Sequence, residues 1–165
     1  AVRVVMQPLP NVQPVTVVAL LVGAHLGAKR GVAFAILVTL LSNLLISHGW
    51  WTLFQAIGWS VVAVMGANAR LIEEGRLQMQ RLCMFAVISA PLFGLISTLS
   101  LVSSEMSLGQ FMVLLAQGLP FDAIHALGNL AFAVWTGALL HHFLSGLTAT
   151  EEEVLAVGDV HGLDA

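Results

Sequence analysis

Apolar positions along this chain gather into five runs separated by short polar joints. Pro14 to Gly27 is the first and shortest; Gly31 to Ile46, Trp51 to Ala69, Leu82 to Val102 and Phe121 to Leu144 follow. The last four approach the roughly 20 residues that a spanning helix needs. At about 1.5 Å per residue the first covers on the order of 20 Å, short of a hydrocarbon core of roughly 30 Å, so it crosses with help from its neighbours or begins inside a cavity. Backbone amides in lipid must be satisfied within their own segment, which predicts helices for all of these runs. The pattern therefore predicts an all-α integral membrane protein, a bundle of five transmembrane helices. Ala1 to Gln13 holds Pro8 and Pro10 and reads as an irregular entry segment. Ser107 to Gln117 reads as a helical turn or two across one mouth of the bundle. Residues 1–146 form the membrane domain, and 147–165 an acidic tail without apolar periodicity, expected to be disordered.

Charge adds an orientation. Lys29 and Arg30 occupy the joint after the first run, and Arg70, Arg76 and Arg81 the joint after the third; Ser47 to Trp51 and Ser103 to Pro120 hold no Lys or Arg. Short basic loops stay in the cytoplasm, so joints 28–30 and 70–81 and the C-terminus are expected there. Residues 1–13 then lie outside with nothing to carry them across. A preceding transmembrane helix, making six, is the economical expectation, and a cleaved signal peptide the alternative. The composition fits: 9% of residues are charged, against roughly 25% in soluble domains. The acidic side chains Glu151, Glu152, Glu153, Asp159 and Asp164 cluster in the tail, so the net charge of -3 hides a slightly basic membrane part. A single cysteine, Cys83, excludes an internal disulfide and any multi-cysteine metal site.

Polar side chains concentrate at the outer ends of the runs. Asn11 and Gln13 close the entry segment; Asn43 lies near the end of the second run; His48, Trp50 and Trp51 form the tip; Gln55 follows Trp51 at helical spacing, with Trp59 four further on. Asp122, His125 and Asn129 share one helix face at i, i+3 and i+7. Polar and ionisable groups in a membrane tend to face an interior or water-filled site, and this set suits a polar ligand with a flat ring system. Each also has a structural reading. Trp50 and Trp51 suit interfacial anchoring, Asp122 suits an N-cap after Pro120 with His125 paired to it, and Asn43 and Asn129 suit interhelical hydrogen bonds. His25 reads as a packing group, and His141 and His142 as favourable charge at a helix C-terminus.

The stretch Pro10-Asn11-Val12-Gln13-Pro14-Val15-Thr16, the glycine-bounded turn Gly27-Ala28-Lys29-Arg30-Gly31, the aromatic segment Gly49-Trp50-Trp51-Thr52-Leu53-Phe54-Gln55 and the block from Gly118 to Asn129 resemble the substrate-binding S components of energy-coupling factor (ECF) transporters, closest to the cobalamin branch. The resemblance is spread over residues 8 to 144. It implies a six-helix subunit that captures a vitamin-like molecule from outside and joins a transmembrane coupling subunit and two ATPase subunits, with neither catalysis nor a cofactor of its own. The lack of a G-x-x-x-x-G-K-[ST] phosphate loop agrees. It further implies that the outer loops Gln7 to Gln13, Ser47 to Trp51 and Ser103 to Pro120 close over the ligand. The polar and aromatic residues at the outer ends expected to hold that ligand are Asn11, Gln13, Asn43, Trp50, Trp51, Gln55, Asp122, His125 and Asn129. An S component for another vitamin or a nucleobase-like precursor, an intramembrane metal-dependent enzyme using Asp122 and His125, and a ligand-free scaffold subunit are the alternatives. Nucleic acid is not an expected partner.

Overall fold

The computed structural model describes residues 13–161, and the side chains of those up to 151. Helix α1 spans Val15–Ile46 and α2 Trp51–Asn68; a two-stranded hairpin, β1 Ile72–Glu73 and β2 Arg76–Leu77, leads into α3, Met79–Thr98, with a 3-10 turn at Leu99–Leu101; α4 runs Leu108–His161. The described residues are all-α apart from the hairpin. Three helical segments, Val15–Ile46, Met79–Leu101 and Leu108–Glu151, are long and apolar enough to cross a membrane. Among the described residues the five expected spans appear as four helices, three of them of spanning length and apolarity, because the first two runs share α1 and α2 falls short of that apolarity.

Gly27 explains how two runs fit in one element. Its backbone sits at φ 81° and ψ 168°, a region essentially reserved for glycine, and the chain reverses there. A Cβ on Gly31 would lie 3.1 Å from the Cα of Gly23, although residues eight apart on an unbroken helix are about 12 Å apart. Arms 15–26 and 28–46 thus lie side by side. The first arm is enclosed: Val15, Thr16, Val17, Ala19, Leu20, Leu21, Val22 and Gly23 are all buried. A helix apolar all round belongs in the middle of a bundle. Enclosure by its neighbours answers why this run is shorter than the hydrocarbon core.

The second arm is patterned the other way. Gly31, Ala35, Thr39, Ser42 and Asn43 face inward, while Ile36, Leu37, Leu40, Leu41, Leu44 and Leu45 are exposed along the outward stripe. Small residues inside let backbones approach, and lipid receives the large apolar side chains. On α2 the same rule operates at Gly66, where a Cβ would lie 2.1 Å from the Leu20 carbonyl oxygen, and on the first arm at Gly23, where it would lie 2.0 Å from that of Ala63. Helix α2 packs chiefly on α1, and α4 on α3.

Local chemistry sets the joints. Glu74 and Gly75 have φ of 51° and 71°, the left-handed pair of a type I′ turn, and pair Ile72 with Leu77 and Glu73 with Arg76. Arg81 braces the hairpin through Glu73 and the Arg70 carbonyl oxygen. At α4, Ser107 and Gln110 form a capping box: the Ser107 amide donates to Gln110 Oε1 at 2.8 Å and the Gln110 amide to Ser107 Oγ at 3.3 Å. The helix so started passes through Pro120 without ending. The turn or two expected at Ser107 to Gln117 is thus the first part of the last helix. Helix α4 continues to His161, and Arg30 holds Glu151 in a two-pronged ion pair with N–O distances of 2.7 and 2.6 Å.

Two glycine substitutions separate close approach from backbone freedom. Gly66→Leu is expected to lower stability by about 1–3 kcal/mol or more, because the side chain enters the Leu20 backbone. Gly27→Ala meets no atom within 4 Å yet should still cost about 1–3 kcal/mol from backbone strain. Gly118→Ala, in open space inside α4, should be neutral or slightly stabilising. Thermal unfolding in detergent checks all three, and an unchanged midpoint for Gly66→Leu would contradict the α1–α2 packing.

Candidate functional site

The reversal at Gly27 brings the start and the end of α1 to the same end of the bundle, beside the start of α2 and the Asp122 region of α4. Four elements therefore deliver polar side chains there. Thr16 opens the first arm, and its hydroxyl lies 3.2 Å from His125 Nε2 on α4. Asn43, 2% exposed near the end of the second arm, donates through Nδ2 to Thr52 Oγ1 and to Gln55 Oε1, both at 2.9 Å. Thr52 also accepts from the Gly49 amide, fastening the 47–51 joint to α2.

Aromatic rings connect these two polar groups. Trp59 lies one turn beyond Gln55 on α2, and its ring is 4.7 Å from that of Phe93 on α3. Phe93 in turn meets His125 edge-on at 5.4 Å. Close approach at Gly58 makes room for the Phe93 ring, since a Cβ there would lie 2.7 Å from it. The path Gln55, Trp59, Phe93, His125, Thr16 ties α1, α2, α3 and α4 together.

The face formed by Asp122, His125 and Asn129 turns towards α3. The Asp122 carboxylate fills the space that a Cβ on Gly94 would take, 2.1 Å away. Because α4 continues through Pro120, Asp122 is an interior helical residue, and the N-cap reading is corrected. His125 points at Thr16 and Phe93, so the expected Asp122–His125 pair is corrected as well. Asn129, fully buried, donates from Nδ2 to the Ala86 carbonyl at 3.0 Å, and its Oδ1 has no partner among the described residues. A buried unsatisfied acceptor is costly, so Oδ1 is the atom of this face ready to accept a hydrogen bond.

The two tryptophans of the 47–51 joint sit elsewhere. Trp50 is 67% and Trp51 44% exposed. Trp50 lines a groove of about 630 Å³ between the second arm of α1 and α2, with His48, Thr52, Ile36, Leu40 and Leu53 among its walls. Of the expected ligand residues, Trp50 stands at the groove, Trp51 is exposed beside it in sequence, Asp122 lies against Gly94, and Asn43, Gln55, His125 and Asn129 belong to the packed interior. Gln13 is half-buried just ahead of α1, and Asn11 lies outside the described residues.

Thr16, Thr52, Phe93 and Ala86 complete the interior set, and sequence reasoning passed over them as ligand-site residues. Thr16 carried a visible signal, being polar at the mouth of an apolar run. Phe93 and Ala86 carried none, because an apolar side chain and a backbone carbonyl look alike along every run. Among the described residues no group of three His, Cys, Asp or Glu side chains gathers in one place.

No curated protein matches this chain, and no solved structure does. Residues 1–146 match DUF6580, a family of unknown function. With the match extending over that much of its length, the chain belongs to the DUF6580 family.

Proposed function

We propose that this protein is the substrate-capture subunit of an ATP-driven importer of the ECF type, taking up a vitamin-like molecule, with cobalamin or a related corrinoid as the first candidate. The observation that carries the reading is the polar and aromatic network at one end of an otherwise apolar bundle. Thr16, Asn43, Gln55, His125 and Asn129 come from helices far apart in sequence, and burying them there has a cost that helix propensity does not return. The resemblance in residues 8 to 144 supplies the transporter class. In this reading Trp50 and Trp51 shield the ligand at the rim, and the amides of Asn43, Gln55 and Asn129 hydrogen-bond its polar substituents. Energy comes from partner ATPases, reached through a transmembrane coupling subunit. Lys29, Arg30, Arg70, Arg76 and Arg81 face the cytoplasm, and the capture site faces outward.

A specific observation favours a second reading, a ligand-free scaffold. Asp122, His125 and Asn129 are packed against α3 and the first arm, as expected of residues that hold helices together. The two readings separate on binding alone.

Orientation is tested in a Cys83→Ser background. A cysteine at Ser47 should react with an impermeant reagent only from outside, and one at Gln80 only from the cytoplasm; both positions are exposed. Equal reaction of the two would overturn the orientation. For the ligand, tryptophan fluorescence of the purified protein should fall on addition of a corrinoid, which absorbs in the emission range, and Trp50→Phe should remove much of the response. Asn129→Ala should weaken binding by roughly tenfold to a hundredfold, corresponding to about 1–3 kcal/mol for a buried hydrogen bond. A response to another vitamin but to no corrinoid would reassign the substrate. No response to any vitamin, with no coupling subunit retained on mild extraction, would leave the scaffold.

A further inference from the structure

At the opposite end of the bundle two histidines meet. His25 is in the last turn of the first arm before Gly27, and His141 is on α4, 116 residues away in sequence. Their ring nitrogens His25 Nε2 and His141 Nδ1 stand 3.1 Å apart, and the ring centroids 5.1 Å apart with a 40° tilt. The substrate-capture reading uses neither residue.

We propose that His25 and His141 form a two-imidazole site for a divalent transition metal ion of the Zn²⁺, Ni²⁺ or Cu²⁺ class. Metal–imidazole bonds of about 2.0–2.1 Å at an angle between square and tetrahedral place two ligating nitrogens roughly 2.9–3.4 Å apart, and the observed separation lies inside that range. The same construction puts the ring centroids about 4.5–5.2 Å apart, which also contains the observed value. The two facing nitrogens therefore need little displacement to converge on one ion.

Proton accounting is simple. In the neutral pair one nitrogen carries the shared proton and the other accepts it. On metal binding the proton-bearing ring moves to its other tautomer, freeing both facing lone pairs, and no proton leaves the pair. No electron is transferred. Both rings are half-buried, so water reaches the ion and completes its coordination. Among the described residues no third His, Cys, Asp or Glu joins them, which makes the site open rather than closed. His142, the neighbouring residue, is exposed and outside the pair. A bound ion would clasp the Gly27 end of the first arm to α4, in series with the Arg30–Glu151 ion pair.

The test uses the full chain purified in detergent without a polyhistidine tag and stripped with chelator. Equilibrium dialysis against Zn²⁺ should show one ion per chain, and the Cu²⁺ paramagnetic resonance spectrum should show two ligating nitrogens. His25→Gln and His141→Gln should each weaken Zn²⁺ binding at least tenfold, while His142→Gln leaves it unchanged. Zn²⁺ should also raise the thermal midpoint of the wild-type chain, as any ligand of the folded state does. Absence of Zn²⁺ retention, a spectrum with fewer than two nitrogens, or equal retention in both pair variants would overturn the site. The spectrum and the midpoint are read on the wild type, so the outcome stands even if a variant fails to fold.

Discussion

Close backbone approach along the first arm of α1 is the interaction on which the rest of this bundle depends. In lipid, apolar side chains gain nothing by leaving their surroundings, so helices associate through packing of small residues and interhelical hydrogen bonds. Gly23, Gly31 and Gly66 remove the Cβ atoms that would collide with Ala63, Gly23 and Leu20. Only with those atoms absent can α2 and the second arm enclose the first. That enclosure lets a run too short to span remain inside the bundle.

From the enclosed arm follows the distribution of polarity. Thr39 and Ser42 return their hydroxyls to their own helix, donating to the carbonyls of Ala35 and Val38. Asn43, Thr16 and Asn129 instead reach other elements. The first kind satisfies a side chain at no cost to packing, whereas the second makes one helix depend on the position of another. The end holding Thr16, Asn43 and His125 is built from bonds of the second kind together with the Trp59–Phe93–His125 ring contacts. The opposite end is held differently, by the His25–His141 contact and the Arg30–Glu151 pair. Both of these contacts join the Gly27 hairpin to α4.

Much of this was legible along the chain. Apolar runs of spanning length, the glycine-bounded turn around Lys29 and Arg30, and the helical spacing of Asp122, His125 and Asn129 each depend on residues close in sequence, and local order is what hydrophobic periodicity reports. The type I′ turn at Glu74-Gly75 and the capping box from Ser107 to Gln110 were also encoded locally, yet polar joints between apolar runs draw the eye less than the runs do.

By itself the sequence determined an all-α, membrane-suited chain, the placing of its polar residues at the ends of apolar runs, and the shared face of Asp122, His125 and Asn129. Tertiary structure alone decided which of those residues meet. His125 pairs with Thr16 rather than its i−3 neighbour Asp122 because the first arm lies against α4, and Asp122 turns to Gly94 because the glycine leaves room there. Trp50 and Asn43, seven apart in sequence, separate into an exposed groove and a buried network because the 47–51 joint turns the chain between them. The physical reason is common to all three: helical spacing says which side of a helix a residue occupies, and only packed neighbours say what stands opposite.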